Sequence, residues 1–258
     1  MKTKFLLTRL PILLLISLLA SCASKKDIVY FQNAGEFETF VDRNSFTPKF
    51  KVDDVVSIHV STLNEEASAP FNLYRGLRGG NTGFTPQSVD YLVDQAGEID
   101  FPVIGKIKIV GLSPEEVRVL LRDELADYLK DPIINIRLQN FTVTILGEVN
   151  RPGTYPVNGE RITILEALGL AGDLTIKGQR DNVMVIRDFD GTKVYNRIDL
   201  RSKEALNSSV YYLTQNDVVY VEPNESAVTS SQLDNRASIW VSIGSVLLTS
   251  AVILLTRN

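Results

Sequence analysis

The feature that most constrains this chain is its C-terminal segment, twenty consecutive uncharged residues at 237–256 between Arg236 and Arg257. Folded as an α-helix, twenty residues extend about 30 Å, which is the thickness of the hydrocarbon core of a bilayer. Inside a membrane a chain has to satisfy its own backbone hydrogen bonds, and a helix does so. The sequence therefore predicts one transmembrane helix at 237–256.

The predicted helix carries its hydroxyl groups on one side. At about 100° per residue, five hydroxyl side chains form a narrow stripe, and four large apolar side chains lie opposite, where we expect them to face lipid. The stripe comprises Ser238, Ser242, Ser245, Thr249 and Thr256, and the opposite side comprises Trp240, Ile243, Leu247 and Leu254. Either the stripe lines a water-filled lumen in a ring of identical helices, or its small side chains let neighbouring helices pack closely. Both interpretations require self-association.

The N-terminus has the layout of a secretory signal peptide, with three basic residues before a short apolar run at 10–20. The only cysteine, Cys22, follows Leu19-Ala20-Ser21, a sequence that resembles the lipobox of bacterial lipoproteins. The resemblance implies cleavage between Ser21 and Cys22 and acylation of Cys22, palmitate being one such acyl group. The alternative is an unmodified cysteine after an ordinary signal.

Because Ala23 and Ser24 follow, with no Asp beside the cysteine, analogy with lipoproteins predicts the outer membrane. A plain anchoring role for 237–256 is disfavoured, since such a protein already has an anchor.

Charge and composition exclude several classes of protein. The three basic residues of the first 21 positions leave 24 basic and 31 acidic side chains in the rest, a net charge of −7. Nucleic-acid binding needs the opposite sign. One His and one Cys exclude a metal site built from several of these residues, and also a disulfide. We see no paired carboxylates and no Ser within reach of a His, so the sequence predicts neither an enzyme nor a cofactor.

The region between the termini predicts two α+β units. Each contains alternating strands and one helix that opens with a capping box, at Ser113–Glu116 in the first unit and at Thr163–Glu166 in the second. The shared order suggests a weak internal repeat. In the first helix an apolar face should run to Tyr128 and Leu129, and 130–132 should stop the helix.

Two features of the first unit resemble functional sites but have simpler explanations. His59 alternates with apolar residues on a strand and should face solvent, with no second His or Cys to form a metal site. The glycine-rich segment 75–83 could cradle a phosphate, but such a loop needs a helix directly after it, and Pro86 and polar residues follow instead. We predict a mobile surface loop over 62–88.

The two units resemble known domains. Residues 51–58 and 97–105, with 110–113 and the helix that follows, are similar to the polysaccharide export domain of Wza-type proteins. Residues 147–157, Ala171-Gly172 and 216–221 are similar to a soluble-ligand-binding β-grasp (SLBB) domain. Asp53 and Asp173 stand where the family usually has Gly. A turn tolerates Asp at the first of these positions, because Asp adopts left-handed backbone more readily than most residues.

The resemblance implies a subunit of an outer-membrane channel for capsular or exopolysaccharide, a passive homo-oligomeric ring with periplasmic domains. An inner-membrane co-polymerase or chain-length protein would supply energy and direction. The alternative is a lipid-anchored module that binds a small ligand or cell-wall glycan with its β-grasp domain. The predicted parts are a signal peptide (1–21), a lead-in (22–46), the export domain (47–140), the SLBB domain (141–224), a linker (225–236) and a transmembrane helix (237–256).

Overall fold

The computed structural model describes residues 28–36, 46–75, 87–189, 191–232 and 236–256. The signal peptide, Cys22 and most of the glycine-rich segment lie outside these ranges, so signal cleavage, lipidation and the role of that segment stay predictions. The described residues form two α+β domains, each with its own apolar core, as the sequence predicts. We call them the export domain and the SLBB domain.

The export domain is built on a small antiparallel sheet. Its elements are β1 (Val55–Ser61), α1 (Glu65–Ser68), β2 (Tyr74–Arg75), β3 (Gln87–Ser88), β4 (Tyr91–Leu92), β5 (Glu98–Phe101), β6 (Gly105–Lys108), α2 (Pro114–Leu125) and β7 (Ile133–Leu138). The sheet order is β4-β1-β7, and β5 and β6 form a separate hairpin. Alternation along β1 buries Val56, Ile58 and Val60, while His59 is exposed on the other face, which confirms the prediction for this strand.

The segment predicted as a loop at 62–88 is partly ordered into secondary structure, because α1 and the β2–β3 pair lie within it. Asn72, a buried residue, explains part of this order. Its side-chain amide donates to the carbonyl of Val60 (2.8 Å), and its side-chain oxygen accepts from the Val60 N–H (2.9 Å). The chain after α1 is therefore fixed to the part of β1 beyond Val56, where β4 no longer pairs with it.

Helix α2 begins as predicted and ends earlier. Ser113 and Glu116 form the full capping box at its start. The α-helix stops at Leu125, and the chain continues in turns to Leu129, which is buried. Tyr128, predicted on the apolar face, is 58% exposed because the chain has left the helical period by that point; one side of its ring still packs against Phe71, with ring centroids 5.7 Å apart.

The SLBB domain contains a five-stranded mixed sheet, a separate two-stranded sheet of β10 and β13, and one short α-helix. Its elements are β8 (Thr142–Gly147), β9 (Gly153–Pro156), β10 (Ile162–Thr163), α3 (Ile164–Leu170), β11 (Val183–Phe189), β12 (Thr192–Ile198), β13 (Tyr212–Leu213) and β14 (Val218–Val221). The order is β12-β11-β14-β8-β9, and β14 pairs with β8 in parallel. Thr163 and Glu166 form the predicted capping box. Since the export domain has three antiparallel strands instead, the suggested internal repeat is limited to the capped helices.

Two aspartates adopt the backbone conformation that the missing glycines would favour. Asp53 has φ 68° and Asp173 has φ 69°, so the prediction that Asp53 occupies a left-handed turn position is confirmed. Few residues other than glycine adopt this conformation, and Asp and Asn are among them. Both turns are therefore preserved without glycine.

Two helices follow the SLBB domain, α4 (Glu225–Gln232) and α5 (Arg236–Thr256). Helix α4 lies in the segment predicted as a linker, and Ala227 on it is buried. Helix α5 coincides with the predicted transmembrane segment. Within the described part of the chain, no helix is both long and apolar enough to cross a membrane, so the prediction of a transmembrane helix at 237–256 lacks structural support.

The parallel pairing of β8 with β14 generates a stability prediction. Gly147 has φ 89°, and a methyl group on it would lie 2.0 Å from the carbonyl oxygen of Val221. Gly147→Ala should lower the free energy of unfolding by about 3 kcal/mol or more, from the clash together with backbone strain. Gly105 is the matched control, because its φ is 91° with nothing within 4 Å; Gly105→Ala should cost only about 1–2 kcal/mol.

Urea unfolding followed by circular dichroism measures both changes. An equal decrease in the free energy of unfolding of the two variants would contradict the prediction, because it would show that β14 shifts to make room for the added methyl group.

Candidate functional site at the domain junction

A short polar network joins the export domain to the SLBB domain. Asn140 lies in the segment that connects the two domains. Its side-chain amide donates to the carbonyl of Asp53 (3.0 Å), and its side-chain oxygen accepts from the Val55 N–H (2.9 Å). Its own carbonyl accepts from the side-chain amide of Gln215 (2.5 Å), and the Gln215 side-chain oxygen accepts from the Thr142 N–H (2.9 Å). We call these contacts the junction network. It ties the start of β1 to the start of β8 through one turn of the SLBB domain.

That turn, residues 214–217, is held by a buried ion pair. Asp217 is fully buried, and the Arg187 guanidinium donates to both of its carboxylate oxygens at 2.7–3.1 Å. The Thr214 N–H (2.8 Å) and hydroxyl (3.0 Å) also donate to this carboxylate. Lys51 of the export domain donates to the Thr214 hydroxyl (3.3 Å), which adds a second contact between the domains. A paired, fully hydrogen-bonded carboxylate can be buried without a large net cost.

Asp54 lies beside this network in the turn that precedes β1. It is 2% exposed, and its carboxylate accepts from the Lys51 N–H (2.8 Å). Burial raises the pKa of the Asp54 carboxyl to about 6, and the hydrogen bond from Lys51 only partly opposes this shift. Folding therefore stabilises the protonated form of Asp54 relative to its ionised form, compared with the unfolded chain.

The lead-in segment docks on the SLBB domain, a contact that no local sequence pattern predicts. The Phe31 and Gln32 N–H groups donate to the carbonyls of Leu200 (3.3 Å) and Arg201 (2.7 Å). Asn33 donates to the Glu204 carboxylate (2.8 Å). The hydroxyl of Ser202 and the amide of Asn33 hold the pKa of Glu204 at about 2. Residues 31–33 therefore lie along the 200–204 segment.

Tyr30 completes this contact over a buried arginine. Its hydroxyl donates to Asp173 (2.5 Å), and the Arg180 guanidinium lies 5.4 Å from its ring centroid. Burial and the Asp173 carboxylate raise the pKa of Tyr30 well above its usual range. Arg180 is 4% exposed and donates to the carbonyls of Leu174, Thr175 and Gly178. The aspartate that replaces glycine after α3 thus has a side-chain role, holding the lead-in segment.

The hydroxyl groups of α5 bond within their own helix. Ser245 donates to the carbonyl of Ser242 (2.8 Å), and Thr249 to that of Ser245 (2.6 Å). Ser250, which is not part of the predicted stripe, donates to the carbonyl of Val246 (2.8 Å). Because it lies about 120° from the stripe centre, the hydroxyl groups of α5 are less strictly segregated than the stripe suggests.

The other residues predicted on this helix are only partly described. Trp240 and Ile243 are 71% and 44% exposed. The structure does not describe the side chains of four of the predicted positions, Ser238, Leu247, Leu254 and Thr256. The pore-lining and lipid-facing roles of these positions stay predictions.

A cleft of about 650 Å³ opens next to the junction, lined by residues of both domains. One wall is formed by β7 with residues 48–50 and the first turns of α2, and the other by 157–160 after β9. Among the described residues no cluster of His, Cys, Asp or Glu could hold a metal ion. The structure thus presents a coupled pair of domains and a polar cleft.

Comparison with known proteins agrees with this two-domain organisation. Residues 45–139 match the polysaccharide biosynthesis/export protein family, and residues 142–221 match the SLBB domain. Only residues 140 and 141 separate the two matches, and Asn140 is the residue at the centre of the junction network.

Two curated proteins illustrate the similarity. One is the EPS I polysaccharide export outer membrane protein EpsA of Ralstonia solanacearum, 28% identical over 151 residues that cover 57% of this chain and 40% of the relative. The other is the capsule polysaccharide export outer membrane protein CtrA of Neisseria meningitidis, 26% identical over 200 residues that cover 75% of this chain and 49% of the relative. This chain thus spans less than half the length of either relative.

The family matched by the first domain consists of polysaccharide biosynthesis/export proteins, a transport family and not an enzyme family. The chain belongs to the Wza-type polysaccharide biosynthesis/export family, in which an export domain is followed by an SLBB domain.

Asp54 generates a pH prediction. Its pKa in the folded state, about 6, lies above the ordinary value of 3.8, so its contribution to stability is complete below about pH 4 and is lost as the pH rises through 6. Asp54→Asn mimics the protonated form. The variant should therefore gain stability relative to the wild type between pH 4 and 7, by at most about 3 kcal/mol.

Urea unfolding of the full-length protein in detergent at a series of pH values measures this difference. Asp127→Asn, at an exposed turn position, is the control and should show no such trend. A constant difference between Asp54→Asn and the wild type across this range would contradict the prediction.

Proposed function

We propose that this protein is a subunit of an outer-membrane conduit that exports a capsular or exopolysaccharide. The observation that carries the proposal is the export domain joined directly to an SLBB domain through the junction network, with α5 continuing the chain beyond the second domain. The names of the two relatives above point to the same role. An outer-membrane location follows from the same proposal.

The conduit is a ring of identical subunits in which α5 forms the exit through the membrane. In a ring each helix faces lipid on one side only, so it needs less apolar surface than a helix that crosses alone. Exposed apolar side chains on α5, among them Trp240, Val241 and Val246, call for cover by lipid or by neighbouring helices. Intrahelical bonds at Ser245 and Thr249 allow these hydroxyl groups to face water or another helix.

Lipidation at Cys22 fits the docking of the lead-in segment. Tyr30 lies only eight positions after Cys22, so the extended chain between them reaches at most about 28 Å. An acylated Cys22 would hold the SLBB domain close to the membrane, on the same side as the start of α5. Two attachments to one domain would limit its tilt relative to the membrane.

The conduit is passive, with energy and direction supplied by an inner-membrane co-polymerase or chain-length partner. The only glycine-rich candidate for a phosphate loop in the sequence, 75–83, is followed by Pro86 and polar residues instead of a helix. Polysaccharide, a homo-oligomeric ring and membrane lipid are the further partners that we propose.

Electron microscopy of the full-length protein in mild detergent tests the proposal. We expect rings with a central lumen, and loss of the narrow end on deletion of 237–258. Cys22→Ser is the matched control, since it removes the acyl anchor and leaves α5 intact; its rings should persist while its membrane attachment weakens.

Surface glycan is measured in parallel in cells that depend on this gene for export, and both variants should reduce it. Monodisperse single subunits at micromolar concentration, with surface glycan unaffected by the deletion, would refute the conduit and favour a lipid-anchored binding module.

A further inference from the structure

The cleft between the domains is electropositive on an acidic protein. Lys49, Arg118 and Arg137 line it, and Glu160 is the acidic residue among its lining residues. Arg118 is engaged, because it pairs with Glu115 and donates to the carbonyl of Ile134 (3.2 Å). Since the chain outside its signal peptide carries a net charge of −7, a local positive cleft is where an anionic ligand would be attracted.

Two of these cations are free to bind a ligand. The side chains of Arg137 and Lys49 are exposed and form no hydrogen bond or ion pair within the part of the chain that the structure describes. The charge of Lys49 is also felt by Glu116, whose pKa is lowered mainly by hydrogen bonds from Ser113. The planar guanidinium of Arg137 can bind both oxygens of a carboxylate.

The floor of the cleft offers main-chain groups. In an antiparallel strand, successive residues direct their N–H and C=O groups to opposite edges. The Gln139 N–H donates to Val55 on β1, whereas the Ile134 carbonyl accepts from Arg118 on the other edge. Ile136 and Leu138 share the direction of Ile134, so their N–H and C=O groups open into the cleft.

The open part of this edge is short. Arg118 already occupies the carbonyl of Ile134, which leaves the main-chain groups of two residues. Around them stand exposed amide side chains, Asn135 on β7 and Asn158 on the opposite wall. Amide and main-chain groups both donate and accept hydrogen bonds, as the hydroxyl groups of a sugar ring require.

We propose that this cleft binds a carboxylate-bearing sugar residue of the exported polysaccharide. Arg137 and Lys49 pair with the carboxylate, and the amide side chains of Asn135 and Asn158 bond the ring hydroxyl groups. The volume of about 650 Å³ lies within the range of ligand pockets. The inference rests on the proposed export function and narrows its substrate to acidic glycans.

Calorimetric titration of the full-length protein in detergent tests this site with three probes, tetragalacturonate, neutral maltotetraose and inorganic phosphate. Tetragalacturonate should bind saturably, and the other two should bind at least about tenfold more weakly. Arg137→Gln should weaken tetragalacturonate binding at least about tenfold, which is the loss expected for a charge-assisted hydrogen bond. Glu160→Gln should strengthen it, because a repelling charge is removed.

Arg122→Gln is the matched control, an exposed arginine on α2 outside the cleft, and should leave affinity unchanged. Thermal unfolding midpoints equal to that of the wild type exclude misfolding. No binding of tetragalacturonate, equal binding of maltotetraose or of phosphate, or an unaffected Arg137→Gln variant would overturn the site. If only the site is wrong, the wild-type protein should still form rings and cells should still display surface glycan. If the wild-type protein forms no rings and surface glycan does not depend on it, the export function itself is refuted.

Discussion

The arrangement of the two domains depends on the ion pair between Arg187 and Asp217. Asp217 is fully buried and takes hydrogen bonds from Arg187 and Thr214, so it fixes the turn at 214–217. That turn presents Gln215 to Asn140 and the Thr214 hydroxyl to Lys51. Loss of Arg187 would leave a buried charge without its partner, a change that costs several kcal/mol in known cases. The junction and the cleft beside it would lose their support together.

Short polar residues make the turns at this junction. Asp53 and Asn216 both have positive φ, at 68° and 65°, and both lie where the chain enters or leaves the junction network. Their main-chain groups also take part, since the Asp53 carbonyl accepts from Asn140 and the Asn216 N–H donates to Thr142 (2.9 Å). The same few residues therefore set local backbone conformation and the contact between the domains. This coupling explains how two small domains can act as one support for a polar cleft.

Local patterns made the secondary structure predictable. Alternation located β1, and the two capping boxes located the starts of α2 and α3, because each signal involves residues at most a few positions apart. Contacts between distant positions were not predictable: Tyr30 meets Asp173 across 143 positions, and Gln215 meets Asn140 across 75. The cleft belongs to the same class, since Arg137 and Glu160 face it from different domains. No periodicity within either segment brings these residues together.

By itself the sequence determined the α+β class, the family and the two apolar ends, because composition and short-range spacing encode them. Only the tertiary structure decided that the lead-in segment docks on the SLBB domain, that residues 225–232 form α4, and that an open edge of β7 faces a basic cleft. Each of these depends on burial and on hydrogen-bond partners supplied by a remote part of the chain. The free energy of such a contact depends on how the domains pack. The sequence around either of the two contacting residues therefore contains no pattern that predicts the contact.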